Sequence, residues 1–262
     1  MRIAIVMPVV LQNETLLGLT LDAAAHLTTQ YSATLYVVSN RLHVCAPDEL
    51  KAAIERRFYG AVEVLHEPGV ERSVAGAWNH GCALATKGGV DYLALIANDT
   101  VLRDDCLDIL VAFGEKNRAD LWSGISYNNR GEIDRLQVTD GADFSCFMIR
   151  PNTIEQHGLF DPNFRPAYFE DNDYYGRVVL GGGECRVVHA AQFHHHGSMT
   201  VRHDGEMAYH VSYWFDKNRD YFRRKWGVAQ PENSSEGVLR RYYRHPFNDL
   251  TRPLNWFPPE NA

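Results

Sequence analysis

The stretch DYLALIANDT, residues 91–100, holds a continuous apolar run that ends in three polar residues. A short apolar run of this kind is typical of a strand buried on both faces of a parallel sheet. In open α/β sheets ligands bind outside the carboxyl ends of the strands, so we expect the Asp99 carboxylate to face a ligand. The alternative is that Asp99 or Thr100 caps the helix that follows, since both residue types accept hydrogen bonds from first-turn amides.

Strand and helix patterns alternate around this run through the first half of the chain. Strands are predicted at residues 2–9, 33–38, 61–65, 91–97 and 120–125, and helices at residues 14–30, 47–58, 73–86 and 104–117. Strands separated by helices of this length need right-handed crossovers, which give a mostly parallel sheet with helices on both faces. The predicted fold class is therefore α/β and Rossmann-like.

After residue 127 the pattern changes to one that includes antiparallel strands. Residues 131–139 alternate like an edge strand, and residues 144–149 form a second apolar strand. Mixed topology is therefore expected in this half. The remaining predicted elements are a helix at 168–180, a strand at 185–189 and a long helix at 205–226.

We expect one domain over residues 1–227, followed by an extended C-terminal arm at residues 228–262. The arm holds five of the 11 prolines and several aromatic residues, a composition that is typical of an extended segment and not of a second core.

Composition excludes several classes of protein. The chain of 262 residues is 45% hydrophobic and 23% charged, which is ordinary for a globular protein and unlike a disordered or fibrous one. No run approaches eighteen apolar residues, and residues 1–8 lack a signal-peptide pattern, so a cytoplasmic protein without a transmembrane segment is expected. The five cysteines include no CxxC pair, which argues against a disulfide framework or a zinc knuckle.

Charge is unevenly distributed along the chain. The net charge of −7 argues against a general nucleic-acid binder. Residues 217–245, however, hold eight Lys or Arg against three acids, so one end of the molecule is predicted to attract anions. This basic region could also hold the protein peripherally at a membrane.

The acidic stretch YFEDND, residues 168–173, is a candidate catalytic site. A structural helix cap needs only one carboxylate, whereas three stand here within four positions. Glu170 and Asp173 share one helix face, and Asp173 can pair with Arg177. Asp171 is left as the carboxylate freest to accept a proton from a substrate hydroxyl. The alternative is a solvated acidic helix start, in which each charge gains only about 0.3–1 kcal/mol from the helix dipole.

A histidine triplet in FHHHGS, residues 193–198, is a candidate source of a metal ligand. Neutral imidazole binds divalent ions well. Neighbouring side chains on a strand alternate sides, so at most two of the three can face one ion, and we expect one ligand. A dedicated zinc site is disfavoured because no close Cys or carboxylate partner is present.

Together these stretches suggest the transfer of a group from a diphosphate. When the sugar of a nucleotide-diphosphate sugar is transferred, the nucleoside diphosphate is the leaving group. Its departing oxygens need a divalent cation or basic side chains to stabilise their charge. Asp99 and one histidine would supply ligands for Mn²⁺ or Mg²⁺, and Asp171 would be the general base.

The order of these motifs resembles that of family-2-type inverting glycosyltransferases with the GT-A fold. The resemblance covers roughly residues 1–227, and its most specific parts are YFEDNDYYGR and HHHGS. The matching segments are residues 71–85, 96–100, 144–164, 168–177, 194–198 and 218–227.

The resemblance implies a role for individual residues. Asp99 resembles the metal-binding aspartate, with Asn98 beside it, and Asp171 resembles the catalytic base, with Glu170 as its partner. His196 or His194 is similar in place to the late metal-ligand histidine. The residues that match the donor pocket, expected to bind a UDP-linked sugar, are Pro8, Asn40, Trp78 and Asn79. The sequence departs from the family at residues 39–41, where an Asp is usual, and this leaves the nucleotide base and sugar open.

Several alternatives remain on the acceptor side. Asp173, Arg224 and Lys225 are candidates for contacting an acceptor or phosphate. The basic residues at 223–225 are equally suited to ending a helix. Residues 240–244, which mix Arg with Tyr, are a further candidate on the acceptor side. A saccharide, a lipid-linked glycan, a protein and a modified nucleic-acid base are all compatible acceptors.

Two functions are alternatives to glycosyl transfer. One is that of a sugar-phosphate nucleotidyltransferase, which usually carries a glycine-rich loop that residues 9–14 lack. The other is that of a non-catalytic nucleotide-sugar binding module.

Overall fold

The computed structural model of the chain describes residues 1–127 and 142–226. These residues contain eight strands and eight helices. In chain order they are β1 (Arg2–Leu11), α1 (Glu14–Ala25), β2 (Ser32–Leu42), α2 (Pro47–Glu55), β3 (Ala61–His66), α3 (Val74–Lys87), β4 (Tyr92–Ile96), β5 (Thr100–Leu102), α4 (Cys106–Lys116), β6 (Leu121–Tyr127), β7 (Cys146–Ile149), α5 (Pro151–His157), α6 (Glu170–Leu180), β8 (Cys185–His195), α7 (Met199–His203) and α8 (Gly205–Trp226).

One eight-stranded sheet has the order β3-β2-β1-β4-β7-β6-β8-β5. Strands β3, β2, β1 and β4 pair in parallel, as do β6 and β8. Strand β7 runs antiparallel between β4 and β6, and β5 is antiparallel to β8. The prediction of a mixed, mostly parallel sheet is confirmed.

Helices cover both faces of the sheet because the central strands are apolar on both sides. In β1, Ile3, Ile5 and Met7 pack into the core cluster that also holds buried residues of α1, α2 and α4. Ala4 and Val6 point the other way, into a second cluster shared with α3 and α6. The alternation of side chains along a strand thus gives the three-layer arrangement that the sequence predicted.

Strand β8 is longer than predicted. It continues through His194 and His195, where the sequence analysis placed its end at residue 189. The added length pairs with β5, a short strand that the sequence pattern did not predict.

The long C-terminal helix is confirmed as α8. The predicted edge strand at 131–139 and the arm at 228–262 lie outside the described residues. Within residues 1–127 and 142–226, no helix combines the length and apolar character needed to cross a bilayer.

Candidate active site

A cavity of about 270 Å³ opens beyond the carboxyl end of β4. Its walls bring together residues that are far apart in the sequence, namely Asp99 after β4, Asp171 in the first turn of α6 and His195 at the end of β8. The three candidate stretches therefore share one site, at the edge of the sheet where α/β folds bind ligands.

The Asp99 carboxylate is held at the cavity wall by two groups. Oδ1 lies 3.2 Å from Nε2 of His195, and Oδ2 accepts a hydrogen bond of 3.1 Å from the amide of Met199. Burial alone would raise the pKa of Asp99, but the His195 and Met199 contacts hold it below its usual value. Asp99 does not cap the next helix, because α4 begins at Cys106 with Asp105 in the N-cap position.

His195 is oriented by a chain of polar contacts behind it. Its Nδ1 lies 2.9 Å from the hydroxyl of Ser145, whose amide donates to Oδ1 of Asp143 at 3.0 Å. The Ser126 hydroxyl donates to the other Asp143 oxygen at 2.6 Å, and Asp143 is fully buried. Sequence reasoning missed Asp143 and Ser145. The available signal was their position at the start of the apolar stretch 144–149. The strand observed there, β7, begins beside the end of β4 because the two strands are antiparallel.

His194 and His196, which the sequence analysis preferred as the metal ligand, are placed differently. Nδ1 of His194 lies 2.8 Å from the carbonyl oxygen of Tyr127. His196 donates its backbone amide to the carbonyl oxygen of Asp99, and its ring stands edge-on to that of His194 with 4.5 Å between centroids. The structure therefore brings His195, and neither of its two neighbours, against the Asp99 side chain.

The backbone before α6 is bent to bring the acidic residues to the cavity. Tyr168 and Phe169 have φ of 78° and 75°, in the left-handed region that costs a non-glycine residue about 1–2 kcal/mol. Strain of this kind persists where the surrounding structure imposes it, often at functional sites. The two left-handed residues directly precede Glu170 and Asp171, both of which line the cavity.

Both carboxylates bind protons more tightly than usual. Burial raises the pKa of Glu170 well above its ordinary value, and repulsion from Asp171 adds to the effect. The Oε2 atom of Glu170 is buried and has no hydrogen-bond partner among residues 1–127 and 142–226. Burial also raises the pKa of Asp171, with a contribution from Asp143 and Asp173, while the Asn172 amide, 2.7 Å from Oδ1, opposes it. Asp171 remains half-buried and faces the cavity.

The predicted donor-pocket residues divide into two groups. Trp78 and Asn98 line the cavity. Asn40 instead ties β2 to the backbone of Arg72 through two hydrogen bonds of 2.7 and 3.1 Å, and Asn79 makes the same double contact with the backbone of Phe160. Pro8 lies within β1, paired with Val38.

Two of the acceptor-side candidates are buried in an ion-pair cluster away from the cavity. Nζ of Lys225 lies 2.6 Å from Asp161 and 2.8 Å from Asp173, and Asp173 also pairs with Nε of Arg177 at 3.0 Å. Lys225 is only 2% exposed and both carboxylates are fully buried. Asp173 and Lys225 were candidates for contacting an acceptor or phosphate, but their charges are paired with each other and join α8 to α6. Arg224 is exposed on α8.

Comparison with known proteins identifies the family of the chain. The model of the family described as "Glycosyl transferase family 2" matches residues 4–173, from β1 through the acidic start of α6. The chain belongs to this family. Family membership confirms the resemblance seen in the motifs, and the fold matches the GT-A architecture expected of it. Among curated proteins, none matches the sequence.

Solved structures share the fold at low sequence identity. S. aureus TarS has a TM-score of 0.60 at 10% identity, over 92% of this chain and 43% of that one. The mannosyltransferase PcManGT from Pyrobaculum calidifontis, in complex with GDP-Man and Mn²⁺, has a TM-score of 0.60 at 14% identity, over 94% of this chain and 70% of that one. GalNAc-T7 with UDP, GalNAc and Mn²⁺ has a TM-score of 0.58 at 15% identity, over 92% and 55%. The chain spans about half the length of the TarS chains that it matches.

Proposed function

We propose that this family member is a metal-dependent inverting glycosyltransferase, which moves a sugar from a nucleotide-diphosphate sugar to an acceptor hydroxyl. The observation that carries the proposal is the shared cavity of Asp99, His195 and Asp171. The expected donor is UDP-linked. The similar folds of proteins described with UDP-GlcNAc, UDP or GDP-Man support a nucleotide-sugar donor.

The donor end of the cavity fits a divalent cation. Asp99 and His195 present an oxygen and a nitrogen ligand 3.2 Å apart, and His195 has the polar support on its second nitrogen that metal-binding histidines usually have. None of the described residues that line the cavity is Lys or Arg. No group of three or more His, Cys, Asp or Glu suited to a metal occurs among residues 1–127 and 142–226, so diphosphate oxygens and water would complete the ligand set. Bound Mn²⁺ or Mg²⁺ would neutralise charge on the departing diphosphate.

The remaining residues position the reaction. Asp171 accepts the proton of the acceptor hydroxyl as that oxygen attacks the anomeric carbon, and its raised pKa brings it closer to a working base at neutral pH. Trp78 and Asn98 shape the wall beside Asp99. A single in-line displacement, with base and leaving group on opposite sides, inverts the configuration at the anomeric carbon.

A thermal-shift panel tests donor binding. UDP- and GDP-linked sugars should raise the melting temperature in the presence of Mn²⁺ or Mg²⁺, because a ligand of the native state stabilises it by mass action, and the increase should disappear in EDTA. An Asp99→Asn variant should lose the Mn²⁺-dependent part of the shift. Full stabilisation in chelator would contradict the role of the cation.

Product analysis separates the proposal from its two alternatives. A glycosyltransferase releases a free nucleoside diphosphate, whereas a nucleotidyltransferase forms or consumes pyrophosphate. A non-catalytic module would bind the nucleotide sugar without hydrolysing or transferring it in any acceptor mixture.

A further inference from the structure

Phe215 is an exposed aromatic residue on the inward-facing side of α8. Its neighbours at one helical turn and at two turns, Val211, Asn218 and Phe222, are all buried. These positions share one face of a helix, so a residue among them is expected to be covered. Phe215 nevertheless keeps 39% of its surface exposed. Part of the Phe215 ring is therefore open to contact from outside, although the residue lies on the packed face of α8.

Tyr168 packs against Phe215 and connects it to the candidate active site. The Tyr168 and Phe215 rings have centroids 5.7 Å apart and planes inclined by 69°. Tyr168 also lines the cavity that holds Asp171, and its hydroxyl lies 3.2 Å from that of Ser198. The aromatic pair thus joins the cavity lining to the exposed surface of Phe215.

The two rings are held in place from behind. Phe169 lies 5.3 Å from Phe215 and 5.7 Å from Phe222, ring centroid to centroid, and Phe222 belongs to the small buried cluster beneath α8. The left-handed backbone at Tyr168 and Phe169 sets the directions of these two adjacent side chains, both of which contact Phe215. Because Tyr168 and Asp171 line the same cavity, a sugar ring resting on the aromatic pair would lie on the side of the proposed base.

The chemistry of this surface fits an uncharged sugar ring. One face of a pyranose presents several C–H groups with partial positive charge, which pack on the negative face of an aromatic ring, while hydroxyls at its rim reach polar groups. Glu170 and Asp171 lie beside the surface, and no Lys or Arg is among the described residues lining the cavity. On the Tyr168 side, a second anion would therefore meet carboxylates and no basic side chain among the described lining residues.

The geometry points to Tyr168 and Phe215 as an acceptor subsite for a neutral sugar ring, so that the acceptor is a saccharide. This inference rests on the proposed function, since it takes Asp171 as the base that the acceptor approaches. A protein side chain or nucleic-acid base as acceptor would be an outcome against it.

Saturation-transfer NMR on the full chain, saturated with Mn²⁺ and UDP, tests the subsite directly. The probes are methyl β-D-glucopyranoside, methyl β-D-galactopyranoside and methyl α-D-mannopyranoside, together with methyl β-D-glucuronide, which carries a carboxylate in place of a hydroxymethyl group. At least one neutral glycoside should bind through the C–H groups of one face and more tightly than the glucuronide. Phe215→Ala should weaken its binding by about 2- to 10-fold, as expected for a lost ring contact.

Two further variants make the result decisive. Phe215→Leu keeps an apolar side chain against Phe169 but removes the ring, so it should weaken binding even if Phe215→Ala unfolds. Tyr213→Ala removes an aromatic ring from the outward face of the same helix, where Tyr213 is 50% exposed, and should bind as the unmodified protein does. Absence of binding by all neutral glycosides, tighter binding of the glucuronide, or equal binding by Phe215→Leu would overturn the inference. The donor thermal-shift and product tests do not involve these rings, so the proposed function can stand if the subsite fails.

Discussion

Nε2 of His195 lies 3.2 Å from Oδ1 of Asp99, although 95 residues separate the two in the chain. The pairing of β8 with β5 produces this contact, because it sets His195 opposite Thr100, the residue after Asp99. Ser145 fixes the other side of the imidazole. One histidine of three consecutive ones is therefore presented to the cavity in a defined orientation.

His195→Ala should weaken Mn²⁺ binding by at least about 10-fold, since loss even of a group that merely supports a metal ligand has an effect of this size. Mn²⁺-dependent thermal stabilisation and Mn²⁺ titration measure it without any turnover. His196→Ala is the matched control, because its contact with Asp99 runs through the backbone amide and survives the change. The assignment fails if His196→Ala loses Mn²⁺ binding and His195→Ala retains it.

Asp171→Asn should lower kcat for transfer by at least about 100-fold, because the amide has nearly the same shape but cannot accept the acceptor proton. The nucleotide-sugar thermal shift should be unchanged. Release of nucleoside diphosphate measures the rate. Asp104→Asn, an exposed acid before α4, should behave as the unmodified protein. Transfer at a near-normal rate by Asp171→Asn would remove Asp171 from its proposed role.

The acid limb of the pH–rate profile should lie above the range of an ordinary carboxylate. A base works only when deprotonated, so activity falls as pH drops through its pKa in the folded protein, and burial raises the pKa of Asp171. The charged groups that interact with it are Glu170 and Asp173 on α6 and Asp143 before β7, all of which repel its ionised form. Measuring kcat/KM against pH at saturating Mn²⁺ locates the limb.

Asp143→Asn removes one of the negative charges that repel the ionised form of Asp171, so it should move this limb to lower pH. An unmoved limb would show that Asp143 does not act on the base.

Local sequence patterns were sufficient to predict the order of most elements and two of the site carboxylates. The apolar run before Asp99 identifies a buried strand from its own residues, and the acidic cluster around Asp171 identifies a helix start in the same way. Both side chains could therefore be assigned to the site from their local element and from the rule that ligands bind at the carboxyl ends of strands.

Long-range register explains why the sequence could not show which histidine contacts Asp99. Strand alternation correctly separates His195 from His194 and His196, but which side meets Asp99 depends on how β8 pairs with β5. It also depends on the register shift between Ser123 and Ile125, where β8 pairs with β6. A slip of one residue would reverse the outcome, and no local pattern specifies it.

Burial of charge was equally invisible in the sequence. Lys225 and Asp173 stand in separate helices, and a basic helix end beside an acidic helix start has the same composition whether the charges are solvated or paired in the interior. Only the packing of α8 on α6 makes the pair structural.

Lys225→Met should destabilise the fold by about 3–5 kcal/mol, because it leaves the buried carboxylates of Asp161 and Asp173 without the cation between them. Urea unfolding measures the loss. The matched control is Arg223→Met, which breaks the more exposed Arg223–Asp220 pair of the same helix and should cost no more than about 1 kcal/mol.

The same cluster should give the protein a sensitivity to acid whose sign follows from Asp173. Burial alone would raise the pKa of Asp173, but Lys225 and Arg177 hold it below its usual value. A carboxylate with a lowered pKa in the folded state stabilises the fold above its unfolded pKa of about 3.9, and this stabilisation is lost as pH falls through the lowered value. In Lys225→Met the pKa of Asp173 should rise, so the loss should begin at higher pH. Parallel acid-unfolding curves for Lys225→Met and the unmodified protein would show that the ion pair does not hold α8 on α6.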